Sequence, residues 1–168
     1  MNHLAFAWHD ISAFATQLTA AVVRASLTTV ADRPHLLTLW RADGTGLRLY
    51  SRRHDIAERV EIGVLEFELV SEEKADTRPS PERTSRPSLI NIDLPSSFNG
   101  RNRATKLVIS ESGTTAEAGF ILTASDGTEI VIVSGVYPHS LAMKGIGSLP
   151  HGFEPEYDLE CYERVEIA

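Results

Sequence analysis

A single cysteine, three lysines and no long apolar run mark what this chain lacks. With Cys161 as the only thiol, no internal disulfide can form. A chain of 168 residues needs none, because it can bury about 70% of its unfolded surface in one core. No uninterrupted apolar stretch approaches the ~20 residues that cross a bilayer. The N-terminus carries neither the basic region nor the apolar core of a secretory signal. These absences predict a soluble protein of a reducing cytoplasm with no membrane partner. Arginine outnumbers lysine 13 to 3, a usage that fits coding bias in a GC-rich bacterial genome and says nothing of mechanism.

Complete catalytic motifs are missing as well. Ser134, Ser140 and Cys161 stand outside any Gly-x-Ser-x-Gly elbow or comparable nucleophile signature, and Cys161 reads as a small buried hydrophobe. Gly145-Ile146-Gly147-Ser148 lacks the Gly-Lys-Ser/Thr of a phosphate loop and the third glycine of a dinucleotide fingerprint, and Leu149-Pro150 follows it where a helix should begin. The rings of Trp8, Trp40, Tyr50 and Phe98 are not interleaved with basic residues as in single-strand binders, and read as core. A net charge of −7 argues against nucleic acid as a partner, since phosphate binding needs concentrated Lys and Arg. The charge is uneven, with basic residues gathered over 78–106 and six acids over 154–168.

What the chain does contain is β pattern. Phe120-Ile121-Leu122 and Ile130-Val131-Ile132 flank Asp126-Gly127, and Leu37-Thr38-Leu39-Trp40 and Leu47-Arg48-Leu49-Tyr50 flank Asp43-Gly44-Thr45-Gly46. Asp-Gly between apolar β-formers is a strong hairpin signal, because glycine reaches the positive φ that tight turns require. The resemblance of the two hairpins to each other follows from shared turn chemistry rather than duplication. Alternation at Leu65/Phe67/Leu69 and Ile90/Ile92/Leu94 predicts half-buried strands, Leu107-Val108-Ile109 adds another, and a short last strand falls around Tyr162 to Ile167. Before them, Ile11, Phe14, Ala15, Leu18, Val22 and Ala25 repeat at helical spacing behind Asp10, a plausible N-cap. Residues 71–88 are rich in Glu, Arg, Pro and Ser and read as a mobile loop. The expected architecture is a single α+β domain: a mainly antiparallel twisted sheet or partly closed barrel of about seven strands, packed against an N-terminal helix.

Function, on the same reading, belongs to the aromatic and acidic stretch 137–158, where prolines stop strand propagation. Tyr137, His139, His151, Phe153, Glu154, Glu156 and Tyr157 are the candidate binding residues. Rigid rings order at low entropy cost, and flanking acids select a basic protein surface. The leading expectation is therefore a non-catalytic protein-binding or inhibitory module with no cofactor. In size and charge alone, without a shared motif, the chain is similar to compact acidic bacterial proteins that neutralise toxins. The alternative is a small enzyme or ligand-binding protein with His139 or His151 and Glu154 converging at the mouth of the sheet. Two histidines and a carboxylate suit zinc or iron, yet the eleven residues between the histidines match no metal signature, so no metal is assigned. Glu154 and Glu156 are expected to be solvated, so that exchange to Gln changes stability by less than about 0.5 kcal/mol.

Overall fold

The computed structural model describes residues 2–6, 11–72, 87–147, 149 and 151–167. Both Asp-Gly segments form the hairpins their sequences predict. Strand β3 (Arg33–Trp40) pairs antiparallel with β4 (Thr45–Ala57), Leu37 opposite Leu49, and β8 (Thr114–Thr123) pairs antiparallel with β9 (Glu129–Ser134), Phe120 opposite Ile132. In each turn the Asp carboxylate accepts the backbone N–H of the Thr two residues on, Thr45 and Thr128, at 2.9 Å. The Thr45 hydroxyl, donating to Asp43 at 2.6 Å, and then the Thr45 N–H hold the Asp43 carboxyl below the usual range, and the Thr128 N–H and then its hydroxyl do so for Asp126. The two turns thus share the same local chemistry.

The class is mainly β rather than α+β. Eleven strands and one nine-residue helix, α1 (Ile11–Thr19), occur among the described residues, and the strands form two stacked sheets with no closed barrel. The first sheet has the order β5 (Val60–Ser71), β4, β3, β2 (Arg24–Val30), β6 (Ser88–Asp93), antiparallel throughout. The second has the order β10 (Leu141–Lys144), β9, β8, β7 (Arg103–Glu111), β11 (Glu163–Glu166), again antiparallel. A short strand β1 (Asn2–Leu4) adds to β8 in parallel. The last strand foreseen from the sequence is β11. Of the proposed mobile loop, Ser71 closes β5 and Ser88 opens β6, while 73–86 lie outside the described residues. None of the described helices is long and apolar enough to cross a membrane.

Helix α1 ends at Thr19, six residues before Ala25, the last position of the helical repeat, because pairing takes over. The Val22 N–H donates to the Phe98 carbonyl and the Val23 N–H to that of Trp40, and Arg24–Val30 alternate between half-buried and buried as β2. Thr28, Thr29 and Val30 fit a pleated strand better than a helix because their branched Cβ crowds a helical turn. Leu18 and Val22 still reach the core; Asp10 and the side chains of Ile11 and Phe14 lie outside what is described.

Burial on two faces sets this fold apart from a simple sandwich. Between the sheets lie Leu27, Leu37, Leu39, Leu49, Leu65 and Phe67 from one side and Phe120, Leu122, Ile130 and Ile132 from the other. Phe67 stands edge-on to Phe6, ring centroids 5.0 Å apart. The opposite face of the second sheet carries its own cluster, Leu107, Ile109, Ala116, Ala118, Ile121, Val131 and Val133, which Ile62 and Val64 of β5 and Tyr162 also join. A bulge in β8, where Leu107 faces Gly119 and Val108 faces Glu117, switches its side-chain parity. Ala116 and Ala118 therefore share a face with Ile121. Buried on both faces, β8 lacks the apolar/polar alternation of a one-sided strand.

Truncating Phe67 or Ile132 to Ala should cost on the order of 2–5 kcal/mol through lost burial and residual cavity. Chemical denaturation reads this directly; a loss under ~1 kcal/mol for both would contradict the inter-sheet core described above.

Candidate functional site

The C-terminal segment is less free than its prolines imply. Phe153, Tyr157 and Leu159 pack, half-buried, against the outer cluster of the second sheet, and the ring of Tyr157 meets that of Tyr162 edge-on at 6.3 Å. The segment is stitched to the end of β9: Pro155 bridges Gly135, the Glu156 N–H donates to the Ser134 carbonyl at 2.9 Å, and the Val136 N–H donates to the Glu154 carbonyl at 3.0 Å. An apolar sheet face would otherwise stand in water, and these residues cover it.

At the centre of the seam is a buried ion pair. Glu156, its side chain 8% exposed, accepts from Arg53 Nη1 through Oε1 and from the Gly63 backbone N–H at 2.9 Å through Oε2. Arg53 Nη2 donates to the carbonyls of Gly135 and Val136 at 3.1 and 2.9 Å. Beside the pair, Ser51 and Ser134 share a buried hydroxyl–hydroxyl bond of 2.8 Å. Gly63 is required here, since a Cβ would sit 2.6 Å from Ser134 Oγ and 2.8 Å from Glu156 Oε2. Burial pushes the Glu156 carboxyl above its ordinary range, only partly offset by the Gly63 amide and Arg53. The expectation that Glu156 is solvated is therefore corrected: it is an internal group. Glu154 is half-buried, 3.5 Å from Arg33 Nε.

The remaining sequence candidates face outward. Residues 135–140 form a tight tip between β9 and β10, closed by Gly135 N–H to the Ser140 carbonyl and by the N–H and Oγ of Ser140 to the Tyr137 carbonyl. His139 holds φ +61°, a left-handed conformation uncommon outside glycine. Val136 and Tyr137 are 50% and 43% exposed, and Arg33 stacks on the Tyr137 ring at 3.8 Å. His139 and His151 are exposed, and no hydrogen bond or ion pair joins either to a carboxylate among the described residues. No group of three or more His, Cys, Asp or Glu that could hold a metal ion occurs among the described residues. Cys161 is exposed rather than buried.

Sequence reasoning passed over Arg53, Ser51 and Gly63, which are tied to the C-terminal segment only across large sequence separations. It also passed over a groove of about 290 Å³ on the outer face of the first sheet, where Arg24, Ser26, Thr38, Trp40, Arg48 and Asn91 converge. A faint signal existed, since Arg24, Ser26 and Thr28 alternate with the buried Ala25, Leu27 and Thr29. Comparison with known proteins supplies no relative: no family model matches the chain, and neither a curated protein nor a solved structure matches it.

Removing Arg53 strands a buried carboxylate, so Arg53→Met should destabilise by about 3–5 kcal/mol, while the double variant Arg53→Met/Glu156→Met should lose less. Denaturant titration decides; a double variant less stable than the single one would remove the ion pair from the account. The raised carboxyl of Glu156 also has a pH signature. In the window between the ordinary and the folded pKa the folded state holds more protons than the unfolded chain, so stability falls as pH rises. The advantage of wild type over Glu156→Gln should thus be full below the ordinary glutamate range and shrink toward neutral pH. Melting both proteins from pH 4 to 8 checks the sign, and an advantage that grows with pH contradicts it.

Proposed function

We propose that the protein is a non-catalytic binding module whose contact surface is centred on the 136–139 tip. The observation that carries this reading is a rigid loop presenting apolar side chains to water. Its backbone is fixed by Arg53, Ser140 and Glu154, yet Val136 and Tyr137 remain 50% and 43% exposed. A surface ordered before contact loses little entropy on docking, and Tyr gives large contact area with few rotors.

Glu154 and Glu156 are committed to Arg33 and Arg53, so they offer little net field. Attraction for a basic partner falls instead to Asp158, Glu160, Glu163 and Glu166, all exposed beyond the tip in sequence. Charges of this kind raise the rate of encounter and make it depend on salt, while the aromatic tip sets how long the complex lasts.

The experiment is quantitative capture by immobilised wild type and by the Val136→Ser/Tyr137→Ser variant. A partner held by wild type should lose at least ~10-fold in affinity with the variant, as for removal of an aromatic anchor. Stability should change by no more than about 1 kcal/mol, because both side chains lie outside the core and only the Arg33 stack on Tyr137 is lost. Equal retention by the two proteins would take the tip out of the binding surface, and turnover of a small molecule with no specific partner would overturn the reading.

A further inference from the structure

We infer that the groove on the outer face of the first sheet is a binding site for a small organic acid with a short apolar body. This goes beyond the proposed contact surface, which lies at the 136–139 tip, and does not depend on it.

Register places the groove's residues. Arg24 pairs with Trp40 across β2 and β3, and one step along, Asn91, Ser26, Thr38 and Arg48 form a row across β6, β2, β3 and β4. Alternation turns this row away from the inter-sheet core, so four strands deliver polar side chains to one concavity. Its floor is ordered. The Trp40 indole N–H donates to Ser26 Oγ at 2.7 Å, and Ser26 donates on to Asn91 Oδ1 at 3.1 Å. Trp40, only 4% exposed, lies over Gly46, where a Cβ would come within 2.8 Å of its ring. The Arg24 guanidinium stacks on the same ring at 4.8 Å and pairs with Glu72 at the rim.

Arg48 is the group that this arrangement leaves incompletely bonded. Its side chain is 12% exposed, its Nε is buried without a hydrogen-bond partner, and Nη1 makes only a long ion pair with the partly exposed Glu68, 3.8 Å to Oε2. A buried Nε donor without a hydrogen bond costs stability that an incoming anion would recover. The Asn91 carboxamide, its oxygen occupied by Ser26, keeps its NH2 as a second donor on the groove. At the other end Leu36 and Leu89 supply an apolar wall, and Leu89 is 63% exposed. One cationic end, a polar floor and one apolar end fit a carboxylate with a hydrocarbon body. At about 290 Å³ the groove lies at the lower limit of small-molecule sites, which selects a compact acid over a large ligand.

The test titrates the 168-residue chain with acetate, butyrate, hexanoate and benzoate, and with hexanol as the uncharged control, following the Trp40 indole N–H by NMR. The acids should shift that resonance saturably, more tightly as the chain lengthens from acetate to hexanoate, and hexanol should not. Arg48→Gln should weaken hexanoate at least ~10-fold, the loss expected for a charge-assisted contact. If Arg48→Gln fails to fold, Leu89→Gln decides, because its exposed position leaves the core intact: it should abolish the gain from acetate to hexanoate. Absence of a saturable shift with every acid, equal binding of hexanol, or unchanged hexanoate affinity in the variant that folds would each overturn the proposal.

Discussion

Arg53 and Glu156 meet where three separate pieces of chain converge, and the shape of the C-terminal third depends on that meeting. Arg53 belongs to β4, Gly63 to β5 and Ser134 to the end of β9, and Glu156 arrives on a segment with almost no regular structure of its own. Taking two charges out of water is costly, and their attraction repays this only when further hydrogen bonds satisfy the remaining donors and lone pairs. Here the Gly63 amide and the carbonyls of Gly135 and Val136 do so in part, while Arg53 Nε stays buried without a hydrogen-bond partner. That the Glu156 carboxyl is still raised shows desolvation outweighing the compensation. The pair is therefore a device for position more than for net stability. It fixes where the segment lies, and thereby the geometry of the tip at 136–139.

The need for such a device follows from the two-faced second sheet. Strand β8 buries both sides, and only the first sheet covers one of them. The other must be roofed by the far end of the β4–β5 hairpin, through Ile62 and Val64, and by Phe153, Tyr157, Leu159 and Tyr162. A roof made of irregular chain has few backbone bonds to hold it, so side-chain bonds to Arg53 and the Gly135–Pro155 bridge carry that task. A comparable anchor works at the N-terminus. Buried Glu117 accepts from Lys106 Nζ at 2.6 Å and from the Phe6 N–H at 2.8 Å, holding the chain beside β1 on β8.

What was legible in the sequence is what local chemistry decides. Asp43-Gly44 and Asp126-Gly127 fixed both hairpins because their turns are built from adjacent residues. The end of α1 was not legible because Leu18, Val22 and Ala25 all satisfy a helical repeat, and only the pairing of Ala25 with Leu39 and Ile92 shows that the last of them is in a strand. The rings of 153–162 look the same in sequence whether they face a partner or a sheet. Nothing near Glu156 distinguishes it from Glu154, because the partner that buries it, Arg53, lies 103 residues away. Long-range pairing thus ties Phe153, Glu154, Glu156 and Tyr157 into the fold and leaves Tyr137, His139 and His151 exposed.

The central claim is that the seam between β4, β5, β9 and the C-terminal segment opens as one unit. Native-state hydrogen exchange of the Gly63, Gly135, Val136 and Glu156 amides measures this most directly. All four have defined acceptors, and the account predicts that they share one opening free energy close to that of global unfolding. Exchange of Val136 and Glu156 by local fraying, several kcal/mol below the others, would contradict it.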